Sequence, residues 1–433
     1  MKIAVIGGDG ASHALVNALA QSKEVSEITC LPGSHAIGME RLVSNGDLVR
    51  TVPGIKPTDA KLIADFVQVC RCDLVVPRPE SCLEAEVGDW CRKYGIPFAG
   101  PCRRGARFET SKTFQYRFML DNNISCPAGE ICETVSFARD FIARHWNWPG
   151  FAVKADRIAR GQGVFLCHDP EEAYTAINKL MVERVFGSSG DRVVIQRLLP
   201  RSDQEVSLHI ITDRKSAFCL ETFHDYKQEG VGDTGLNTGG VGGFSPGVKL
   251  DSYLNYKFQE NLIERWQTGC EAESILYRGI LYPGVMLTEG GKDFQVLEFN
   301  ARFGDPDTQV LLARFQGDLA ELLYASATDT LESSMLSWSS EPSVGVVLCS
   351  EGYPLSPKID REIVGLEDAG RVPNVRIFHN GTQKIGNKWF STGGRIITAV
   401  ALGNTARANA YEAISRIHCE GSWFRPDIAE HLT

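Results

Sequence analysis

From Lys2 the chain runs through four apolar residues, Ile3-Ala4-Val5-Ile6, and stops at Gly7-Gly8-Asp9-Gly10. Beyond this Leu15, Val16, Leu19 and Ala20 recur at helical spacing, which predicts a strand, a tight turn and a helix. Ile28 to Leu31 before Pro32-Gly33, and Asp73 to Val76 before Pro77-Arg78-Pro79-Glu80, predict further strands whose carboxyl ends open into polar loops. Strands of this kind point to a parallel, doubly wound sheet that holds ligands at its strand ends. Tyr94 to Pro101 closes the unit, and Ser111 to Leu120 predicts a helix leading out of it.

Three further regions follow. Residues 124 to 195 carry strands and helices around Phe151 to Asp156 and a glycine-spaced, arginine-containing loop, Arg157 to Gly163, which predicts a small α/β lid. Residues 203 to 330 predict strands at Glu205 to Ile211, Ser216 to Glu221 and Phe294 to Asn300, helices at Tyr256 to Thr268 and Asp318 to Ala327, and a glycine-rich stretch from Gly230 to Gly243. After Pro342 come strands such as Arg395 to Ala401 and a closing helix, Ala406 to Ile417. The expected units are residues 1–107, 108–197, 198–330 and 331–433.

At 433 residues the chain has room for about three domains with real cores. No apolar run approaches the roughly 20 residues of a membrane span. The first apolar run is too short for a signal peptide, so the expected location is the cytoplasm. Thirteen cysteines, an odd number without zinc spacing, predict reduced thiols that mostly fill cores. A net charge of −9 argues against nucleic acid as a partner and favours small molecules.

Four stretches carry candidate chemistry. In Gly8-Asp9-Gly10-Ala11-Ser12-His13 the glycines would allow close backbone approach and the helix start would attract an anion; a nicotinamide fingerprint would need a third glycine where His13 stands. A plain glycine turn packing helix on strand is the competing reading. On the strand ending at Asn300, Glu298 and Asn300 share one face while Leu297 and Phe299 face the other, a carboxylate beside an amide oxygen that suits Mg²⁺ carried on nucleotide phosphates. Arg302 follows within reach of phosphate oxygens. Lys154 ends a buried strand beside a loop holding Arg157, Arg160, Gly161 and Gly163, and Lys112 starts the preceding helix; together they would clamp a polyphosphate. Asn237-Thr238-Gly239-Gly240 could line a substrate with backbone amides, or be a flexible connector.

Taken with His13-Ala14-Leu15, Ser111-Lys112, Val153-Lys154-Ala155-Asp156, Glu298-Phe299-Asn300-x-Arg302-Phe303-Gly304-Asp305-Pro306, Gly352-Tyr353-Pro354, Thr392-Gly393-Gly394-Arg395 and Arg425-x-Asp427-Ile428, these stretches resemble the ATP-grasp superfamily and, within it, the phosphoribosylamine–glycine ligases. The resemblance spans nearly the whole chain. It implies an ATP-grasp fold with an amino-terminal parallel-sheet domain and a small carboxyl-terminal α+β domain. It also implies an amide-forming reaction through an acyl phosphate, with ATP and Mg²⁺ (or Mn²⁺), by a monomer or homodimer acting on an amine and an amino acid. Carried over, Lys112, Lys154, Arg160, Gly161, Gly163, Gln196, Leu199 and Glu205 would bind ATP, and Glu298 and Asn300 the metal. Arg302 and Asp305 would be catalytic. Gly10, Ser12, Arg78, Glu80, Asp225, Lys227, Asn237, Thr238 and Gly239 would meet the substrates.

Departures from the family pattern cluster on the amine side. Ala11 and Ser12 stand where the family has arginine and glutamate, Arg78 replaces the glycine of Gly-Pro-Glu, and Gln162 replaces the lysine of the lid loop. Two alternatives therefore stand beside the family reaction: a paralogue joining a different amine or amino acid, and a nucleotide-binding protein that no longer catalyses.

Overall fold

The computed structural model describes residues 1–159, 163–200, 204–248 and 250–432. Strands β1 (Lys2–Gly7), β2 (Glu27–Pro32), β3 (Arg50–Thr51) and β4 (Leu74–Pro77) form a parallel sheet in the order β3-β2-β1-β4. Ile3 to Ile6 are buried in succession rather than alternately. Both faces of the sheet are therefore covered, as parallel pairing with crossover helices requires. Helix α1 (Gly10–Leu19) follows β1, and Asp9 caps it by accepting a hydrogen bond from the Ser12 amide.

The lid is a second sheet, antiparallel, of β5 (Gly129–Cys132), β6 (Phe151–Ala155), β7 (Val164–Cys167) and β8 (Val193–Arg197) in the order β5-β8-β6-β7. Its own core gathers Cys132, Phe141, Ile142, Phe151, Val153 and Ile195. The leading helix, Lys112–Asp121, is tied to the lid where the Lys112 amide donates to the Asp156 carbonyl at 2.7 Å and Thr113 donates through its amide and hydroxyl to the Asp156 carboxylate, and it also packs on the central body. Its Phe114 and Phe118 meet Phe108 edge to face, and Phe108 also meets Trp266 and Phe299 of the central body. These aromatic contacts join the helix to the centre.

The central region comprises β9 (Gln204–Ser207), β10 (Ile210–Thr212), β11 (Ala217–Cys219), β12 (His224–Asp225), β13 (Gln228–Gly230), β14 (Thr234–Asn237), β15 (Gly242–Ser245), β16 (Gly279–Thr288) and β17 (Asp293–Asn300). One sheet runs β11-β10-β16-β17, with β9 also paired to β16. The single strand expected at Glu205 to Ile211 is thus split in two. Pro283 sits opposite the break and has no N–H to donate, while its carbonyl accepts from the Leu208 amide. The expected helix at Tyr256 to Thr268 is longer than predicted, running from Ser252 to Ala272 with a wider π-type turn over Gln259–Glu264.

The carboxyl-terminal region adds β18 (Ser343–Cys349), β19 (Glu362–Val364), β20 (Val375–His379), β21 (Thr382–Ile385), β22 (Lys388–Ser391), β23 (Arg395–Leu402) and β24 (His418–Cys419). Its larger sheet runs β12-β15-β18-β23-β20. Residues 224 to 245, expected in the central unit, therefore lend two strands to the carboxyl-terminal sheet, where β15 pairs with β18 from Gly242 to Ser245. Helix Ala406–Ser415 covers that sheet through Ala410, Ala413 and Ile414. All thirteen cysteines are free thiols and most are buried; burial pushes Cys91 and Cys132 up to about 12. Among the described residues no helix is long and apolar enough to cross a membrane.

Candidate functional site

Strand β17 does not pair evenly with its neighbour. Gly284 faces Glu298 and Val285 faces Val296, which leaves Leu297 as an extra residue in a bulge. The Leu297 carbonyl is thereby offered to Lys154, whose Nζ donates to it at 2.8 Å. Next to it Lys112 Nζ lies 2.6 Å from Glu298 Oε2, and Lys227 Nζ is paired with Glu205 Oε1. Burial alone would push the Glu298 carboxyl up, but Lys112, Lys154 and Lys227 outweigh it and hold Glu298 well below the usual carboxylate range. Burial lowers Lys154 to about 8 even though Glu298 pulls the other way.

Asn300 donates through Nδ2 to the Tyr282 carbonyl at 3.4 Å, so its amide oxygen remains as an acceptor beside Glu298. Among the described residues no group of three or more His, Cys, Asp and Glu is placed to hold a metal. One ionised carboxylate and one amide oxygen suit Mg²⁺, which keeps several waters and completes its shell with phosphate oxygens. The donor set fits that ion.

Past the strand, Arg302 Nη2 approaches Glu109 Oε1 at 3.5 Å, while its Nε is buried without a partner. Glu109 also accepts from the Ala301 amide at 2.6 Å, and burial raises its carboxyl despite Arg302. Against its own burial Glu80 is held low by Arg302 and Arg78. Asp305 lies at the centre of a wider network. Its Oδ1 accepts from Gln309 Nε2 at 2.7 Å and from Asn380 Nδ2 at 3.3 Å. Its Oδ2 is shared by Arg395 Nη2 at 3.0 Å and Arg78 Nη2 at 3.3 Å.

Arg78 also reaches Asp9 Oδ2 at 3.1 Å, and Asp9 Oδ1 accepts from the Ser12 amide at 2.9 Å and the Ser12 hydroxyl at 2.7 Å. The carboxylate at the start of α1 is the chain's own Asp9. The glycines there allow close approach within the protein. A Cβ on Gly8 would fall 2.7 Å from the Gly33 carbonyl, and one on Gly10 would fall 2.6 Å from the Asn380 side chain. Gly10 and Ser12 are accordingly buried.

The 237–240 loop follows the β13–β14 hairpin, with Asn237 and Gly239 exposed and Thr238 half-buried. Thr238 donates through both its amide and its hydroxyl to the Lys227 carbonyl, at 2.7 and 2.8 Å. The Gly239 amide donates to the Tyr353 hydroxyl at 2.9 Å. Arg395 Nη1 reaches the carbonyls of Gly239 at 2.6 Å, Asp305 at 2.5 Å and Gly240 at 3.3 Å. Asp225 lies beside this loop, its carboxyl raised by burial and by Asp307.

Of the other expected nucleotide contacts, Gly163 and Gln196 are buried and Leu199 is half-buried, whereas Arg160, Gly161 and Gln162 lie outside the described residues. Asp9, Glu109, Tyr353, Gln309, Asn380 and Arg395 were absent from the predicted site. Tyr353 and Arg395 had a signal, their places in Gly352-Tyr353-Pro354 and Thr392-Gly393-Gly394-Arg395; Glu109 had none.

Comparison with known proteins matches three stretches of the chain, the second spanning lid and centre together. Residues 1–109, 110–308 and 343–431 match the N domain, the ATP-grasp (A) domain and the C domain of phosphoribosylglycinamide synthetase. The chain belongs to the phosphoribosylglycinamide synthetase family. Among its relatives, the phosphoribosylamine–glycine ligase of Caldanaerobacter subterraneus is 34% identical over 99% of this chain and 99% of its own length. The chloroplastic enzyme of Arabidopsis thaliana is 36% identical over 96% of this chain and 77% of its own length. The crystal structure of the Thermotoga maritima phosphoribosylamine–glycine ligase superposes with a TM-score of 0.82 at 27% identity, covering 99% of this chain and all of that one. A Campylobacter jejuni biotin carboxylase, 14% identical with a TM-score of 0.72 over 99% of this chain and 96% of its own, shares the fold of this family member.

Proposed function

We propose that this family member is an ATP-dependent ligase that joins the glycine carboxylate to the amine of phosphoribosylamine through an acyl phosphate. The observation that carries the reading is the meeting of Lys112, Lys154 and Glu298 around the β17 bulge, one turn of chain from Arg302 and Asp305. Lys112 and Lys154 hold ATP phosphates, with Arg160, Gly161 and Gly163 closing over them, Gln196 to Leu199 bordering the adenine and Glu205 the ribose. Glu298 and Asn300 hold Mg²⁺ or Mn²⁺, which when bound neutralises charge on the phosphate oxygens. Residues 1–107 form the amine-binding domain, 108–197 the lid with its leading helix, 198–330 the nucleotide-bearing centre and 331–433 the carboxyl-terminal domain. The protein works in the cytoplasm as a monomer or homodimer on small molecules.

In the first step a glycine carboxylate oxygen takes the γ-phosphoryl group and ADP departs; Arg302, with its unpartnered Nε, faces the charge that develops. In the second the amine nitrogen attacks the acyl carbon, the C–N bond forms, the C–O bond to phosphate breaks and the nitrogen loses a proton. Asp305, Asp225, Lys227 and the Asn237, Thr238 and Gly239 loop position amino acid and amine, with Arg78, Glu80, Gly10 and Ser12 shaping the amine side. Most of the rate comes from juxtaposing reactants and stabilising charge, with water kept from the acyl phosphate. ADP release with ATP and Mg²⁺ should require glycine and freshly generated phosphoribosylamine together. No rise with both present while ATP still binds would direct the search to another amine.

Lys154 adds a pH dependence. Its ammonium form meets the phosphates, but a value of about 8 in the free protein means that the proton is leaving as pH rises past that point. Nucleotide binding then takes up a proton, so ADP affinity falls above pH 8 toward about one decade per pH unit. Lys154→Gln should bind ADP more weakly at pH 7 and flatten the slope. Fluorescence titrations from pH 7 to pH 9.5 check this, and a flat wild-type profile contradicts it.

A further inference from the structure

Arg395 and Tyr353 belong to the carboxyl-terminal region, and neither has a part in the chemistry assigned above. Arg395 opens β23 with a side chain only 19% exposed. One guanidinium gathers three backbone carbonyls, of Gly239, Gly240 and Asp305, and also the Asp305 carboxylate. Tyr353 fixes the same loop by accepting a hydrogen bond from the Gly239 amide. The approach is close: a Cβ on Gly239 would stand 3.3 Å from both Arg395 and Tyr353, and one on Gly240, where φ is +101°, would stand 2.6 Å from Pro306. Two glycines in succession are what this packing needs.

We infer that Arg395, assisted by Tyr353, is a positioning residue that sets the 237–240 loop and the Asp305 carboxylate in a single geometry, so that the carboxyl-terminal domain governs the amino-acid and amine side of the site. The inference rests on the ligase reading for the role of that loop. The hydrogen bonds of Arg395 go to the loop and to Asp305, whereas Lys112, Lys154 and Glu298 are held by one another and by β17. Acceptor binding and nucleotide binding should therefore separate on mutation. Lysine cannot replace this arginine, because a single ammonium has no planar fork with which to span a carboxylate and three carbonyls.

The test uses the full chain and two variants, Arg395→Lys and Tyr353→Phe, the second removing one oxygen. Losing charge-assisted hydrogen bonds should raise amide exchange across residues 238–241 about ten-fold in Arg395→Lys and less in Tyr353→Phe, with exchange in β17 unchanged. In turnover, the glycine KM of Arg395→Lys should rise by about ten-fold or more with a smaller change in kcat, and ADP affinity should stay within about two-fold. Unchanged exchange at 238–241, or ADP affinity falling in step with the glycine KM, overturns the inference. If the wild type itself shows no turnover with this substrate pair, the ligase reading fails, and hydrogen exchange still decides whether Arg395 sets the loop.

Discussion

Glu298→Gln is expected to lower ADP formation by at least about a thousand-fold, the scale seen when a preorganised charge-stabilising group is removed from an active site. Glu298 has two tasks in the structure. It presents an ionised carboxylate beside the Asn300 amide, and it is the shared counter-charge of Lys112 and Lys154. The amide of glutamine is nearly the same size, so the strand and its bulge should persist while both tasks fail. The two lysines, released from their acid, remain available to phosphates. Nucleotide binding without metal should thus survive or tighten, and the strengthening that Mg²⁺ brings should disappear. Equilibrium ADP binding with Mg²⁺ and with a chelator, beside the turnover assay, reads both effects. Turnover within about ten-fold of wild type would remove Glu298 from the reaction.

Arg302→Ala should cost on the order of a thousand-fold in turnover, at the lower end of what an arginine facing a transferring phosphoryl group contributes. Its effect on stability should be modest by comparison. Removing one member of a buried ion pair ordinarily costs about 3–5 kcal/mol because the other charge is stranded. Here the stranded partner is Glu109, whose carboxyl burial already pushes up, so it can take a proton rather than stay charged. Thermal unfolding at pH 5 and pH 8 separates the two outcomes: the destabilisation of the variant should be smaller at pH 5, where Glu109 is more readily protonated. Equal losses at both pH values would assign the compensation to another group.

Much of the cluster that gathers at the β17 bulge was legible in the chain because its residues lie next to elements with clear periodicity. Lys154 ends a buried strand, Lys112 starts a helix behind a serine cap, and Glu298, Asn300 and Arg302 follow a strand of alternating character. The bulge was not legible. Alternation predicted Leu297 and Phe299 on one face, yet Phe299 is buried and Leu297 is the residue left over, a consequence of how β16 pairs rather than of the β17 sequence. Asp9 illustrates a second kind of loss: a glycine-flanked aspartate before a helix reads equally as a turn, a ligand loop or a cap, and only the approach of Arg78 decides among them. The strand at 242–245 is short and holds two glycines, so nothing local announces that it pairs with β18, about a hundred residues on, or that the two residues 224–225 pair with it in turn. Arg395 is ninety residues from Asp305, a separation across which no periodicity carries information.

A single oxygen, Asp305 Oδ2, is shared by guanidinium groups from the amino-terminal and carboxyl-terminal domains. Exchange of either outer domain for that of a relative therefore touches the other, because each brings one charged partner to the same buried carboxylate. A graft lacking arginine at 78 or 395 would inherit an unbalanced charge at its seam. Substitutions at these two positions should therefore be felt by each other through Asp305, and a change at 78 would also release Asp9.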